Sequence, residues 1–356
     1  MELLFYFFIS LIAILISCII FSNSIEWLGA RLNLSHGITG SILAAVGTAL
    51  PETVVPLVAI FWGINRETLV KILMGKEDTL NSVNQISMGA IIGAPFMLST
   101  VAFFLIGLSS WFYFKTGRRK SKTLSMDKTV LERDLSFFLI SFSCAFLASF
   151  LTHVFHVIFA VLMLVLYLIY LYKTIKEEMD SEYKGEELEG NIDPFLLTKL
   201  FPFLKPTTFF ISIQLVSSLL LLIFRAHHFE EVIKEVSHHL ALPAFAVSLL
   251  LTPLATELPE KFNSWMWIRQ KKDTLAVGNI SGALVFQGTF PVTIGLLFTS
   301  WHFGSIISYF TFLFCLINAA IILFALKRNK LTYKTFLFCG FFYVVYLCLV
   351  LYQQFN

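Results

Sequence analysis

Residues 47–52 read Gly-Thr-Ala-Leu-Pro-Glu and residues 255–260 read Ala-Thr-Glu-Leu-Pro-Glu, and these two matching motifs decide the fold. Each motif lies inside an apolar stretch of about 25 residues, which is long enough to cross a lipid bilayer. A carboxylate at that depth is costly to keep, so it marks a functional site by default. Glu52 and Glu260 are therefore the first candidate site residues.

The proline of each motif adds free backbone oxygens. Because proline has no N–H, we expect Pro51 to leave the carbonyl of Gly47 without its helical partner, and Pro259 to do the same for Ala255. Non-helical backbone at mid-membrane depth is tolerated only where it lines a cavity. Carbonyl and carboxylate oxygens are the ligands of hard cations. The motifs therefore predict a cation site at mid-membrane.

The composition is that of a polytopic membrane protein rather than a soluble one. Apolar residues make up 57% of the chain and charged residues 14%, with a mean hydropathy of +0.79. A net charge of +3 gives no reason to expect a nucleic acid partner. We expect the N-terminal apolar run to remain as a helix, because no basic signal-peptide region precedes it. We expect the scattered cysteines to be small buried side chains, without disulfide or metal spacing: Cys18, Cys144, Cys315, Cys339 and Cys348.

Apolar runs predict an all-α polytopic membrane protein with ten transmembrane helices. These lie at roughly 3–22, 36–62, 82–109, 134–152, 155–173, 207–224, 239–265, 274–299, 304–326 and 333–352. Loops after odd-numbered helices, counted together with the span-end residues Lys173 and Lys334, hold 20 Lys and Arg residues, whereas loops after even-numbered helices hold 5. Since positive loops stay in the cytoplasm, both termini are expected outside and the long 174–206 loop inside.

The two motifs divide the chain into matching halves. We predict a first five-helix repeat at 1–173, a cytoplasmic acidic linker at 174–206 and a second five-helix repeat at 207–356. The repeated segments themselves cover about 36–109 and 239–299. Five helices is an odd number, so the second half enters the membrane upside down. Such inverted repeats place a substrate site at the midplane, where their broken helices meet.

Helical spacing adds side chains to the predicted site. Thr48 shares a face with Glu52, and Thr256 shares one with Glu260 and Asn263. Glu257 supplies a third carboxylate where the first half has Ala49. Carboxylates crowded in low dielectric need either a cation or protons. The alternative for Glu257 is an ion pair with Lys261, four residues on, which is the only basic residue inside a predicted helix core.

Helices 3 and 8 carry a second pair of matching segments, 89–94 and 278–283. Their glycines allow close helix approach. Asn279 and Gln287 are polar in a buried span and are candidate site-lining residues, with Ser281 a weaker candidate. Histidines are expected outside the site. His153 and His156 are predicted in an interfacial turn, and a solvated outer loop is predicted to hold His227, His228, His238 and His239, with metal capture or pH sensing as the alternative.

Taken together, residues 47–52, 255–260, 89–94 and 278–283 resemble the two α-repeats of the sodium/calcium exchanger family. The resemblance covers the whole chain and implies that Glu52 and Glu260 are central ligands. It also implies oxygen ligands from Thr48 and Thr256 and exchange by alternating access.

The chain departs from the family pattern at several motif positions. Ala49 and Glu257 stand where the family usually carries Ser, and Ala94, Leu98 and Ala283 replace usual polar residues, leaving Gln287 as the polar one.

The resemblance predicts a secondary active cation antiporter of the plasma (inner) membrane, exchanging Ca²⁺ for Na⁺ or H⁺. It predicts transported cations and the bilayer as partners, no cofactor and no enzymatic activity. A different transported cation, a channel or ion sensor on the same scaffold, and an intramembrane enzyme using Glu257 and Glu260 as an acid–base pair remain alternatives. Flux without a counter-ion gradient would favour the channel, and catalysis without ion flux the enzyme.

Overall fold

The computed structural model describes residues 2–49, 81–180, 193–201, 203, 205–239, 257–303 and 306–355. Within these ranges the chain is helical and contains no β-strand. In chain order, the helices are α1 (Glu2–Arg31), α2 (36–49), α3 (81–115), α4 (Lys128–Ala148), α5 (His153–Asp180), α6 (Leu196–Leu200), α7 (Thr208–His239), α8 (Leu258–Arg269), α9 (Asp273–Gln287), α10 (Phe290–Phe298), α11 (Ile306–Lys327) and α12 (Tyr333–Phe355).

Membrane-crossing potential agrees with an integral membrane protein. In the described part of the chain, seven stretches are long and apolar enough to cross a bilayer. They are Ile12–Arg31, Ile91–Lys115, His153–Glu177, Thr208–Arg225, Asp273–Phe298, Ile306–Lys327 and Tyr333–Tyr352. The outer helices present apolar side chains to the surroundings, as Val154 of α5 (71% exposed) and Phe224 of α7 (64% exposed) illustrate.

Helix α9 forms the centre of the bundle. All but one of its residues are buried, and it packs against α2, α4 and α8. Helices α1 and α7 pack along each other at the side. Because α9 carries glycines instead of large side chains, neighbouring backbones come close to it.

The closest approach is between α9 and the start of α2. Ser35 caps α2 by accepting a hydrogen bond from the Ile38 N–H at 3.3 Å, and Thr39–Ala44 then form a π-helical segment. A Cβ placed on Gly282 would clash with the carbonyl oxygen of Ser41. The glycine-rich segment 278–283 therefore supports close packing, as its sequence predicts.

Helix α8 begins inside the second motif. Leu258 is its first residue, and Pro259 lies in the first turn, where the missing proline N–H has no helical partner to lose. The span predicted at 239–265 thus contains a helix start. The span predicted at 274–299 matches the stretch Asp273–Phe298, but its helix is interrupted, because α9 ends at Gln287 and α10 begins at Phe290, with Pro291 in its first turn.

Several helices extend beyond their predicted ends. Helix α1 continues to Arg31 and α7 continues to His239. His227, His228, His238 and His239 therefore lie on a helix rather than in the predicted loop. His156 lies in the first turn of α5 and is 1% exposed, with its Nε2 3.0 Å from the carbonyl oxygen of Ala148.

The end of the predicted linker contacts the bundle. The Asp193 carbonyl accepts hydrogen bonds from the side chains of Asn23 (3.3 Å) and Trp27 (3.0 Å) of α1, and Phe195 is 2% exposed. The five cysteines are free thiols, as predicted. Cys18, Cys315 and Cys339 are buried as expected, Cys144 is half-buried and Cys348 is exposed.

We expect Gly282→Ala to lower the melting temperature of the detergent-purified protein by several degrees. The added methyl group must displace the Ser41 backbone, and overpacking of this kind costs about 1–3 kcal/mol. The control is Gly89→Ala in α3, because Gly89 is exposed and no described atom lies within 4 Å of the added Cβ. Equal melting temperatures for the two variants would contradict this account of the α2–α9 contact.

Candidate functional site

Glu260 lies in the first turn of α8, which begins at Leu258 inside the second motif. Its side chain is fully buried, and neither carboxylate oxygen has a hydrogen-bond partner in the described part of the chain. A carboxylate removed from water without compensation is strongly unfavourable. Glu260 in this position therefore needs either a proton or a cation to neutralise it.

The other buried acids each have a basic partner. Glu26 pairs with Lys272, Asp134 with Arg133, and Asp273 with Arg119. Glu257 pairs with Lys261, with 3.0 Å between Oε2 and Nζ. Within the described ranges, Glu260 is the buried acid with no such ion pair. Its environment is thus different in kind from theirs.

Thr48 of the first motif faces Glu260 of the second. The Thr48 side chain is close enough to interact with the Glu260 carboxylate. Its hydroxyl proton, however, is donated to the carbonyl of Ala44 at 2.9 Å. The Thr48 hydroxyl therefore lies between the carbonyl of Ala44 and the carboxylate of Glu260. This contact joins the two motifs, as their repeat relationship predicts.

Asn279 and Asn263 lie beside Glu260. The side-chain amide of Asn279 donates to the Glu260 carbonyl at 3.2 Å and to the Ser264 hydroxyl at 3.1 Å, which leaves its own Oδ1 without a donor among described residues. The Oδ1 of Asn263 accepts from the hydroxyl of Ser22 on α1 at 2.7 Å. Asn279 thus adds a donor-free oxygen, whereas Asn263 connects α1 to α8.

The remaining candidates separate into two groups. Gln287 is 1% exposed with no described partner for its amide, but it lies eight residues beyond Asn279, roughly 12 Å along α9. Gly47 packs under α1, since a Cβ there would lie 2.8 Å from the Phe21 ring. Glu52, Thr256 and Ala255 lie outside the described residues. No group of three or more His, Cys, Asp or Glu side chains that could hold a metal ion occurs among the described residues.

Sequence reasoning missed the most connected carboxylate, Asp134. Its Oδ2 accepts from Ser41 of α2 at 2.7 Å and from Ser281 of α9 at 2.6 Å, while Oδ1 accepts from Arg133 at 2.8 Å. Arg133 also reaches Glu177 of α5 at 2.9 Å. Ser281, predicted to be a weak site candidate, is thus committed to a structural network. The clue was present as an adjacent Arg-Asp pair at a predicted helix start.

Two further buried pairs stand at the loop before α9. Lys272 binds Glu26 of α1, and Glu26 also accepts from the Trp267 indole at 2.7 Å. Asp273 binds Arg119 and accepts from the Ser125 N–H at 2.7 Å. Lys272 and Arg119 are thus buried basic residues that lie in loops, outside the predicted helix cores. Side chains with opposite charges from distant segments make their burial possible.

Comparison with known proteins agrees with these features. The family model described as sodium/calcium exchanger protein matches residues 2–176 and 210–352. A structure of the sodium-calcium exchanger NCX_Mj soaked with 2.5 mM Na⁺ and 0.1 mM Ca²⁺ is similar over 98% of both chains, with TM-score 0.69 and 18% identity. The same protein soaked with zero Na⁺ and Ca²⁺ gives a TM-score of 0.68 at 18% identity, again over 98% of both chains. No curated protein sequence matches the chain significantly.

We expect Asp134→Asn to destabilise the protein strongly, because it leaves Arg133 buried without its main counter-charge. Breaking a buried pair typically costs about 3–5 kcal/mol. The control is Glu132→Gln on the same helix, where the pair with Lys327 (3.3 Å) is 48% and 57% exposed, so only about 0–1 kcal/mol is at stake. Thermal unfolding in detergent compares the two. A smaller loss for Asp134→Asn than for Glu132→Gln would refute the structural role of Asp134.

Proposed function

Because this chain belongs to the sodium/calcium exchanger family, we propose that it is a secondary active antiporter that moves Ca²⁺ across the membrane in exchange for Na⁺ or H⁺. One observation carries the proposal. Glu260 is a fully buried carboxylate with neither a hydrogen-bond donor nor an ion pair among the described residues, while the four other buried acids in this part of the chain have basic partners. A cation from solution would supply the positive charge that the described residues do not provide to Glu260.

The neighbouring oxygens suit a hard cation. Thr48 offers a hydroxyl oxygen close to Glu260, and Asn279 offers an amide oxygen with no donor among the described residues. Calcium prefers several such oxygens at once, and a flexible arrangement of them. We propose Glu52 and Glu260 as the central ligands, assisted by Thr48, Thr256 and Asn279.

Backbone carbonyls and further polar side chains complete the proposed set of ligands. The carbonyls of Gly47 and Ala255 precede the two motif prolines and would be free to bind a cation. Gln287 and Asn263 would line the path or the site, while Glu257 either joins as a third carboxylate or stays with Lys261. Exchange follows because the carboxylates must remain neutralised, so that one cation leaves only as another arrives.

We propose alternating access by movement of α1 and α7 past the remaining helices. Two contacts support this division. Helices α1 and α7 pack along each other, and α1 touches the site through the hydrogen bond from Ser22 to Asn263. The ten-helix inverted repeat belongs to the same proposal, since the two motifs meet across the bundle as Thr48 and Glu260.

The proposed setting is the plasma (inner) membrane, with both termini outside and 174–206 in the cytoplasm. The distribution of Lys and Arg among loops supports this orientation. We propose neither an enzymatic activity nor a cofactor, since ion movement alone accounts for the site.

The function is tested by Ca²⁺ uptake into proteoliposomes that contain the purified full chain. We expect uptake to be driven by an outward Na⁺ gradient or by an outward H⁺ gradient, and the driving gradient identifies the counter-ion. Glu260→Gln and Glu52→Gln should each reduce uptake at least tenfold, because each removes a charge that binds the cation. Glu132→Gln, a surface carboxylate in α4, should transport like the wild type. Uptake that persists in both site variants would overturn the site assignment, and no gradient-driven uptake would overturn the proposed exchange of calcium.

The orientation is tested with single cysteines in a variant whose five native cysteines are replaced by serine. We expect Thr152→Cys, between α4 and α5, to react with a membrane-impermeant maleimide in intact cells. Glu187→Cys in the linker should react only after the cytoplasmic face is opened. The reverse labelling pattern would invert the proposed topology.

A further inference from the structure

One face of α1 follows α8 away from the candidate site. Cys18, Ser22 and Glu26 are spaced four residues apart, so they lie on the same side of the helix, and all three are buried. The α8 residues with which they interact succeed one another in the same order: Glu260, Asn263 and Trp267. Helix α1 therefore covers α8 from the level of Glu260 over a length of about 12 Å, which is the rise of eight helical residues.

Glu26 ends this face of α1 with a buried ion pair. Its Oε2 binds Lys272 at the junction of α8 and α9, and its Oε1 accepts a hydrogen bond from the Trp267 indole at 2.7 Å. The side chains of Glu26 and Lys272 are 3% and 5% exposed. We call Glu26, Trp267 and Lys272 the Glu26 cluster. Both carboxylate oxygens of Glu26 are thus held by helices that, in the proposed function, do not move with α1.

The Glu26 cluster lies where several segments predicted to be cytoplasmic meet. The α8–α9 junction binds the basic loop after α3, through Asp273 and Arg119. The end of α1 binds the linker, since the Trp27 indole donates to the Asp193 carbonyl at 3.0 Å. The end of α1, the loop after α3, the α8–α9 junction and the linker therefore share one face of the bundle, which is the cytoplasmic face in the proposed orientation.

We propose that the Glu26 cluster is a latch that keeps the cytoplasmic route to Glu260 closed, and that breaking the bond between Glu26 and Lys272 opens this route. The inference rests on the proposed function, in which α1 moves past the remaining helices, and it identifies the contact that this movement has to break. In the closed state each of the two charges compensates the other. Once α1 moves away, water at the cytoplasmic surface solvates both charges, so the pair opens without leaving either charge buried.

Native Cys18 reports whether this route is open. It is buried on the α1 face that covers α8, close to Glu260, so a water-soluble reagent reaches it only after α1 has separated from α8. A membrane-impermeant methanethiosulfonate reagent is applied to inside-out vesicles for the cytoplasmic face and to intact cells for the outer face, and the labelling rate of Cys18 is measured. In this experiment Cys18 is kept and the four other cysteines are replaced by serine: Cys144, Cys315, Cys339 and Cys348.

We expect Glu26→Gln and Lys272→Met each to raise the cytoplasmic labelling rate by about tenfold or more, because each leaves the other charge of the pair uncompensated in the closed state only. Labelling from the outer face does not rise, since the population shifts towards the state that is open to the cytoplasm. The double variant Glu26→Gln/Lys272→Met leaves no charge to bury and lies closer to the wild type than either single variant. It also keeps the test informative if one single variant fails to fold.

The matched control is Arg119→Met, which breaks the neighbouring buried pair with Asp273. This pair joins the loop after α3 to the start of α9 and does not involve α1. We expect Arg119→Met to lower the melting temperature in detergent without raising the cytoplasmic labelling of Cys18. Equal increases in Arg119→Met and Glu26→Gln would mean that the loss of any buried pair at this surface loosens the bundle, and the latch would be refuted.

The outcomes separate the latch from the proposed function, because labelling requires no transport. Faster labelling from both faces, or an unchanged cytoplasmic rate in both single variants, overturns the latch, while gradient-driven Ca²⁺ uptake by the wild type still supports the proposed function. Faster labelling from the cytoplasmic face alone supports the latch, even where no gradient drives Ca²⁺ uptake and the proposed exchange of calcium fails.

Discussion

The cost of holding a carboxylate away from water governs this structure. An isolated charge in the interior of a helix bundle is tolerated only when another charge or several hydrogen bonds compensate it. The protein meets this requirement for Glu26, Asp134, Glu257 and Asp273 with a basic side chain in each case. Glu260 receives no ion pair or hydrogen bond within the described residues. A group that the fold leaves uncompensated is one that a solute has to complete.

The buried ion pairs connect the helices that surround Glu260. Asp134 joins α2, α4 and α9 through Ser41 and Ser281, and Arg133 extends the network to α5. Asp273 fastens the loop after α3 to the start of α9 through Arg119. These contacts hold the glycine-rich face of α9 against the π-helical start of α2, and α8 lies beside them. These contacts support the residues near Glu260, and α1 is joined to α8 by the hydrogen bonds from Ser22 to Asn263 and from Trp267 to Glu26.

The sequence draws attention to Glu260 more readily than to the buried ion pairs around it. Proline and glutamate together inside an apolar span single out Glu260 as a candidate. Helical spacing groups Thr48 with Glu52, whereas the structure shows Thr48 close to Glu260. Asp134 and Glu26 were missed because Asp134 begins the predicted span 134–152 and Glu26 lies beyond the end of the predicted span 3–22. In the structure both lie within helices, because partners from distant segments, Ser281 and Lys272, pay for their burial. Hydropathy measures one segment at a time and cannot register a partner that arrives only on folding. The break between α9 and α10 was missed because hydropathy stays high across it. Pro291 marks the break, but proline does not lower the hydropathy of the stretch enough to end a predicted span.

The length of α7 has a mechanical consequence. Its 32 residues span about 48 Å, whereas the hydrocarbon core of a bilayer is about 30 Å thick. Helix α1, with 30 residues, is nearly as long. Helices of this length cross a bilayer tilted or project from it. A rod of such length acts as a lever, so that a change in tilt of about 10° displaces its end by roughly 8 Å relative to the other end. The pair formed by α1 and α7 can thus convert a small rotation beside Glu260 into a large displacement at the membrane surface.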